Sequence, residues 1–270
     1  MSDLIVLCPN PFRDTGLELT LKAKALLETN GYRTEICPVF GADDPEAIPA
    51  EVKISDWAAV SNEATLFIII GGDGTMLHAA RYLNHTDIPM LGINLGTKGF
   101  MAPLEPDKLD LIVDAAAGNY VSSHRMMIDV ELKRNGKVIY SDVGLNDVVI
   151  HGICAHGMGD CVKLTAWCDG DMMVSFSGDG IIVATPTGST GYSMSAGGPI
   201  VEPEAKNFIV SPICAHVMGA KTFVLGPDRK VTVKAEHMWR STVQRVLTLL
   251  MTISSPCVSP KRSQILSTWV

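Results

Sequence analysis

The fold of this chain is decided by one stretch, Leu66-Phe67-Ile68-Ile69-Ile70-Gly71-Gly72-Asp73-Gly74-Thr75. Its five leading apolar residues are typical of a strand buried on both faces of a parallel sheet. A helical pattern over residues 76–83 follows the glycines directly. A buried strand, a glycine-rich turn and a helix in succession indicate a doubly wound α/β fold.

The segments around this stretch continue the alternation of strands and helices. Strands are predicted at residues 4–8, 34–39 and 88–93, and a helix at residues 15–30. Gly31 suits the position just after the last helical turn. We therefore expect residues 1–122 to form an N-terminal α/β domain that carries the Gly71–Thr75 motif.

The middle of the chain has a different pattern. Apolar and polar residues alternate over residues 128–133, and Asn135-Gly136 supplies a hairpin turn into residues 137–140. Asp169-Gly170 lies in the same way between residues 162–168 and 172–176. Strong helix signals are missing from about residue 125 to 235. Residues 123–236 are thus predicted to form a C-terminal antiparallel β domain.

The last segment, residues 237–270, is atypical. It has no Asp or Glu, and no Gly occurs after Gly226. We expect this tail to be poorly packed and not to close the β domain, because hairpins need turn residues. A short amphipathic helix over residues 242–251 is the alternative.

Composition limits the classes of function. The 270 residues are 47% hydrophobic and 19% charged, with a formal net charge of −7. An acidic globular protein argues against a general nucleic-acid binder, and no apolar run reaches the ~20 residues that span a bilayer. The N-terminus lacks the basic region of a signal peptide. The seven cysteines form no C-x-x-C pair, which favours free thiols over disulfides or zinc and predicts a cytoplasmic protein.

The Gly71–Thr75 motif has the chemistry of a phosphate site. Glycines let the backbone approach a phosphate, and the helix N-terminus adds favourable partial charge, so Gly71, Gly72, Gly74 and Thr75 are predicted to bind phosphate. Asp73 would repel that ligand unless it holds a metal or takes a proton. A tight turn without function is the alternative. The motif resembles NAD kinases, diacylglycerol-type lipid kinases and phosphofructokinases, which all transfer phosphoryl groups to hydroxyls.

A second segment selects among these families. Residues 179–199, Asp-Gly-Ile-Ile-Val-Ala-Thr-Pro-Thr-Gly-Ser-Thr-Gly-Tyr-Ser-Met-Ser-Ala-Gly-Gly-Pro, are dense in Gly, Ser and Thr. They resemble the most recognisable segment of NAD kinases. Residues 91–100 resemble the family's glycine-rich loop, and Asn146-Asp147 resembles its Asn-Glu/Asp motif. The resemblance covers roughly residues 66–225 and implies an α/β domain followed by a β domain, with NAD bound in the cleft.

The resemblance implies a role for each matching position. Asp73 matches the general base that takes the proton of the ribose 2′-hydroxyl. Asp179 matches an acidic residue near the nicotinamide side. His78 and His156 stand where relatives often carry a basic residue, Gly191 stands where many have Ala, and Ser177 stands where some carry a basic residue. The implied NAD-binding residues are Asp73, Gly74, His78, Phe100, Asn146, Asp147, His156, Ser177, Asp179, Thr190, Gly191, Tyr192 and Ser195.

These matches predict an ATP-dependent NAD kinase that forms NADP. Mg²⁺ or another divalent cation is expected to come with ATP, without a dedicated protein metal cage. The resemblance also implies a homodimer or homotetramer. Two alternatives stay open at this point: a lipid kinase with the same first motif, and a non-catalytic dinucleotide-binding protein, because the tail is atypical.

Overall fold

A computed structural model describes residues 3–41, 44, 47–83, 86–96, 99–152, 161–236, 246–252 and 263–267. The chain folds into two compact units. The first is formed by Met1–His124 with Pro260–Val270, and the second by Arg125–Ser259. The prediction of an α/β fold followed by antiparallel β structure is confirmed. The predicted division at residues 122 and 236 stays a prediction.

Sixteen strands are described. They are β1 Leu4–Pro9, β2 Arg33–Ile36, β3 Ala64–Gly71, β4 Pro89–Asn94, β5 Val121–Arg125, β6 Ile128–Arg134, β7 Lys137–Gly144, β8 Asp147–His151, β9 Val162–Cys168, β10 Asp171–Gly178, β11 Gly180–Ala184, β12 Phe208–Ile213, β13 Phe223–Leu225, β14 Lys230–Glu236, β15 Val246–Thr252 and β16 Ser263–Ser267.

Five α-helices accompany the strands in the described residues. They are α1 Glu18–Thr29, α2 Trp57–Val60, α3 Asp73–Tyr82, α4 Leu111–Ala116 and α5 Tyr192–Ser195. Short 3₁₀ turns lie at Thr15–Leu17, Pro106–Lys108 and Thr187–Thr190. In the part of the chain that the structure covers, no helix is long and apolar enough to cross a membrane.

The first unit is built on one six-stranded sheet, in the order β2-β1-β3-β4-β16-β5. The pairs β1–β2, β1–β3, β3–β4 and β4–β16 are parallel. Its apolar core contains Ile5, Leu7, Ile68, Ile70 and Leu91, which are all fully buried. The parallel strands therefore end at one edge of the sheet, where ligands bind in open α/β folds.

The helix predicted from residue 15 begins three residues later. Leu17 has a left-handed backbone (φ +55°), so the α-helix starts at Glu18. The buried carboxylate of Asp14 accepts hydrogen bonds from the amides of Leu19 (3.0 Å) and Thr20 (2.9 Å). This side chain caps the first turn of α1, as helix N-terminal amides require.

The second unit is formed by two antiparallel sheets. One has the order β10-β9-β14-β15-β6-β7 and the other the order β13-β12-β11-β8. Both predicted hairpins are present: Asn135-Gly136 joins β6 to β7 and Asp169-Gly170 joins β9 to β10, with all four turn residues at positive φ. Side chains of both sheets, including Leu164, Phe176, Val183 and Phe208, share one buried core.

The tail prediction is wrong where the structure describes the tail. Residues 246–252, predicted as an unpaired segment or a helix, form β15, which pairs antiparallel with β14 and β6. Residues 263–267 form β16, parallel to β4. A short apolar run fits a strand or a helix, and the strand pairs the backbone edges of β14 and β6 that a helix would leave open. Residues 237–245, 253–262 and 268–270 lie outside the described residues.

This arrangement predicts slow amide exchange in the tail. Backbone amides of Val246–Thr252 should be protected from hydrogen exchange to about the same degree as those of β14, because β15 is paired on both sides. Hydrogen–deuterium exchange with mass spectrometry measures this, and the Asn135–Gly136 turn provides a fast-exchanging internal reference. If the amides of β15 exchanged as fast as those of that turn, residues 246–252 would not be paired in the sheet.

Candidate functional site

The Gly71–Thr75 motif lies at the carboxyl end of β3 and in the first turn of α3. Gly71 ends β3, and Asp73 is the first residue of the helix. The Thr75 hydroxyl oxygen accepts hydrogen bonds from the Gly72 amide and from Asn10 Nδ2, both at 3.3 Å. A Cβ atom on Gly71 would lie 2.3 Å from that oxygen. The threonine thus connects the motif to the end of β1, and Gly71 has no room for a side chain.

The Asp73 carboxylate is held by the loop after β4. Oδ2 accepts a hydrogen bond from the Phe100 amide (2.9 Å), and Oδ1 accepts one from the Met101 amide (3.1 Å). A Cβ atom on Gly99 would lie 2.2 Å from Oδ1. Glycine at 99 therefore allows the backbone to approach the carboxylate, and two amides fix its orientation.

These elements surround a pocket of about 510 Å³ in the first unit. Its lining residues lie at or after the carboxyl ends of β1, β2, β3 and β4: Asn10, Arg13, Phe40, Gly72, Asp73, Gly74, Thr75, His78, Asn94, Gly96, Gly99 and Phe100. His78 packs edge-on against Phe40, with ring centroids 4.6 Å apart. The predicted residues Asp73, Gly74, Thr75, His78 and Phe100 therefore lie together. A concave site with convergent polar groups at strand ends is suited to a phosphorylated ligand.

Sequence reasoning missed Asn10, Arg13, Phe40 and Asn94 in this pocket. Asn10 directly follows β1 and Asn94 ends β4, so both stand at the edge where the Gly71–Thr75 motif stands. The available signal was the Pro9-Asn10-Pro11 segment, which places a polar side chain directly after the strand predicted at residues 4–8. Polar residues at neighbouring parallel strand ends meet at one edge of a sheet.

A second constellation lies in the second unit, where β8 begins. The Asn146 carbonyl oxygen accepts a hydrogen bond from the Thr185 amide (2.7 Å) and would lie 2.1 Å from a Cβ atom on Gly188. The Asn146 side-chain oxygen is buried, and within the described part of the chain it has no hydrogen-bond partner. Buried acceptors without a donor are rare in proteins, so this amide is suited to receive a donor from a ligand.

Asp147 and Gly191 lie beside this amide. A Cβ atom on Gly191 would lie 3.8 Å from both Asn146 Nδ2 and Asp147 Oδ2. Burial raises the pKa of the Asp147 carboxyl above its ordinary value of 3.8. The structure therefore brings together three predicted positions, Asn146, Asp147 and Gly191.

The other predicted residues of the second unit are more dispersed. Thr190 is half-buried at the end of a 3₁₀ turn, and Tyr192 and Ser195 are exposed at the two ends of α5. Ser177 and Asp179 contact the end of β12 and the segment after it. The Asp179 amide donates to the carbonyl of Ile213, the last residue of β12 (3.0 Å), and the His216 amide donates to the Ser177 carbonyl (2.7 Å). His156 lies outside the described residues.

Among the described residues, no three His, Cys, Asp or Glu side chains cluster so as to hold a metal ion. Cys161 precedes β9 and Cys168 ends it, so a strand of about 23 Å separates them at ~3.3 Å per residue. The first-unit pocket offers oxygen ligands from Asp73, Asn10 and Asn94. These oxygens suit a Mg²⁺ ion that arrives on nucleotide phosphates.

Two family models match this chain. The ATP-NAD kinase N-terminal domain matches residues 50–117, and the ATP-NAD kinase C-terminal domain matches residues 121–252. The fold and the pocket thus define a nucleotide-dependent kinase. The chain belongs to the ATP-NAD kinase family.

Individual relatives agree with this assignment. An NAD kinase of Ruminiclostridium cellulolyticum is 35% identical over 225 residues, which cover 83% of this chain and 76% of the relative. One from Nitrosomonas europaea is 39% identical over 176 residues, covering 65% of this chain and 58% of the relative. The crystal structure of a yeast NADH kinase complexed with NADH has the same fold, with a TM-score of 0.82 at 20% identity over 99% of this chain and 84% of that chain.

The prediction of an NAD kinase is confirmed by these matches. The lipid-kinase alternative and the non-catalytic alternative gain no support from them. The roles assigned to single residues stay predictions. Two tests follow from the geometry, one of the contact between Gly99 and Asp73 in the first unit and one of Asp147 in the second.

The first test concerns Gly99. Gly99→Ala should lower kcat/KM on the order of 100-fold, because its methyl group would displace the Asp73 carboxylate from the Phe100 and Met101 amides. Initial rates of NADP formation and the melting temperature measure the effect. Gly226→Ala is the matched control, since a Cβ atom there meets nothing within 4 Å. A Gly99→Ala enzyme as active as that control would contradict the contact.

The second test concerns Asp147 and pH. Because its folded pKa is raised, the folded state binds more protons than the unfolded state between pH 3.8 and the raised value. The free energy of unfolding contributed by this group therefore falls as pH rises through that window. Asp147→Asn should become more stable relative to the wild type as pH rises, as measured by urea unfolding at several pH values. Asp110→Asn, at an exposed position, is the control for the substitution itself. A pH-independent difference for Asp147→Asn would rule out the buried charge.

Proposed function

We propose that this chain transfers the γ-phosphoryl group of ATP to the 2′-hydroxyl of the adenosine ribose of NAD, with Asp73 as general base. The observation that carries this proposal is the Asp73 carboxylate, which two amides hold in a pocket lined by a glycine-rich helix start. Phosphoryl transfer to an alcohol needs a fixed proton acceptor next to backbone amides that bind the phosphates.

In this reaction the ribose hydroxyl oxygen forms the new bond to the γ-phosphorus as the bond to the β-bridging oxygen breaks. Asp73 accepts the hydroxyl proton, and ADP leaves with the electron pair of the broken bond. The two amides that bind Asp73 use two of its roughly four lone-pair sites. The remaining sites are free to accept the substrate proton, while the orientation of the carboxylate is already set.

The Gly71–Thr75 motif is proposed to bind the phosphates. The amides of Gly72 and Gly74 stand at the start of α3, where the helix dipole favours an anion. Mg²⁺ or another divalent cation, bound to the donor phosphates, would neutralise charge that develops on the transferred group. Asn10 and Asn94 would offer that ion oxygen ligands.

The second unit is proposed to contribute to NAD binding through Asn146 and Asp147. The buried Asn146 oxygen can accept a hydrogen bond from an amino group such as that of adenine. The raised pKa of Asp147 is consistent with a carboxyl group that changes its protonation or its partner when a ligand arrives. Further contacts are proposed for residues of both units: Gly74, His78, Phe100, His156, Ser177, Asp179, Thr190, Gly191, Tyr192 and Ser195.

Two broader features belong to the same proposal. The family resemblance supports a homodimer or homotetramer. The cysteine pattern, seven residues without a C-x-x-C pair, supports a cytoplasmic location with reduced thiols. NAD and ATP are the proposed partners, without nucleic acid or membrane.

Asp73→Asn tests the base directly. The change should lower kcat on the order of 10²–10⁴-fold, because it removes the proton acceptor and replaces one of the two oxygens that accept amide hydrogen bonds by an NH₂ donor. The dissociation constant of NAD should change little. Steady-state kinetics and calorimetric titration with NAD separate the two effects, with Asp110→Asn as the exposed control. A kcat near the wild-type value would show that Asp73 is not the base.

A further inference from the structure

One charge in the first-unit pocket has no role in the reaction described above. Arg13 is the only Lys or Arg among the described residues that line the pocket, and Asp73 is the only Asp or Glu. A carboxylate beside a phosphate chain repels it, and the −7 net charge of the chain adds to that repulsion. A cation in the pocket would offset both.

The backbone fixes Arg13 firmly. The turn between β1 and α1 is closed by the Asn10 carbonyl oxygen, which accepts hydrogen bonds from the amides of Arg13 and Asp14, both at 2.9 Å. The Asn10 side-chain oxygen accepts another from the Phe12 amide (3.1 Å). Because Asp14 also caps α1, the Cα atom of Arg13 stands at a defined place at the pocket edge.

The guanidinium is held next to the loop after β4. Its Nη1 donates to the Leu95 carbonyl oxygen at 3.4 Å, and a Cβ atom on Gly96 would lie 2.6 Å from that nitrogen. The carbonyl is a neutral acceptor, so this contact leaves the positive charge un-neutralised. Gly96 gives the guanidinium the space that it occupies.

We propose that Arg13 binds the phosphate chain of a nucleotide in this pocket, and that Gly96 is a positioning residue for its guanidinium. The inference rests on the proposed function for the identity of the nucleotides. This phosphate chain is either the triphosphate of the donor or the pyrophosphate of the dinucleotide, since both present the same anionic oxygens. Arginine suits this task because its planar donors can bind two phosphate oxygens at once while its charge is permanent.

The experiment measures binding to the full chain by calorimetry at constant Mg²⁺. Three probes are used separately: the non-hydrolysable ATP analogue AMP-PNP, NAD, and inorganic tripolyphosphate. Arg13→Gln removes the charge, and Arg13→Lys keeps the charge without the planar fork. Arg33→Gln is the matched control, because Arg33 is exposed at the amino end of β2, the opposite edge of the sheet from the pocket, and pairs only loosely with Glu63 (3.8 Å). Melting temperatures check that each variant folds.

We expect Arg13→Gln to raise the dissociation constant of tripolyphosphate about ten-fold, with a smaller rise in Arg13→Lys. A similar rise in the dissociation constant of AMP-PNP would show that Arg13 binds the triphosphate of the donor. A rise in the dissociation constant of NAD would show that it binds the pyrophosphate of the dinucleotide. Because Arg13→Gln lacks this charge contact, its binding of tripolyphosphate should depend less steeply on salt concentration than that of the wild type. Dissociation constants that match those of Arg33→Gln for all three probes would overturn the proposal.

Gly96→Ala tests the positioning role. Its methyl group would meet only the tip of a flexible side chain, so the guanidinium should move while the fold stays intact. Binding of tripolyphosphate should weaken in the Gly96→Ala variant, and the same change should have no effect in the Arg13→Gln background. Equal weakening in both backgrounds would show that Gly96 acts without Arg13. If Arg13-dependent binding is present but no phosphate reaches NAD, the proposed reaction fails and the Arg13 assignment stands.

Discussion

The carboxylate of Asp73 accepts hydrogen bonds from two amides of the loop after β4, and the pocket of the first unit depends on this contact. It joins the start of α3, which follows β3, to Phe100 and Met101, which follow β4. Met101 is buried, and beside it Ala102 packs so closely on β4 that a Cβ atom on Gly92 would lie 2.7 Å from the Ala102 Cα atom. The Asp73 carboxylate is thus anchored, through its own hydrogen bonds, to the packed interior of the sheet.

In the second unit, backbone carbonyl groups and not a carboxylate accept the hydrogen bonds that join two segments of the predicted site. Thr185 donates its amide to the Asn146 carbonyl and its hydroxyl to the Leu145 carbonyl (2.6 Å), and its hydroxyl oxygen accepts the Gly188 amide (3.1 Å). Backbone of two segments is therefore paired before any ligand binds. Within the described part of the chain, the Asn146 side-chain oxygen has no hydrogen-bond partner. Pre-organised polar groups of this kind bind ligands without further ordering cost.

Local patterns in the sequence predicted the elements, but not their neighbours. The apolar run before Gly71 predicted β3, and the Asn135-Gly136 pair predicted a hairpin because both residues adopt positive φ. The place of Arg13 in the pocket depends on sheet order, with β1 beside β3, and no local pattern encodes that order. The strand at residues 246–252 was missed for a related reason: its apolar residues fit two periods, and only the pairing with β14 and β6 decides between them.

Among the described glycines, some are required by backbone conformation and others by close contact, and three glycines of the two predicted sites belong to the second group. Gly136 at a hairpin has positive φ, whereas Gly71, Gly99 and Gly188 do not, and a Cβ atom at each would lie 2.1 to 2.3 Å from a hydrogen-bonding oxygen. Gly71, Gly99 and Gly188 are thus required by close contact and not by backbone conformation, whereas Gly72 and Gly74 have room for a Cβ atom. Gly191 lies outside the second group, because its nearest neighbour would be 3.4 Å from a methyl group, an ordinary contact. The site therefore has room for a methyl group at position 191 without a change in its geometry.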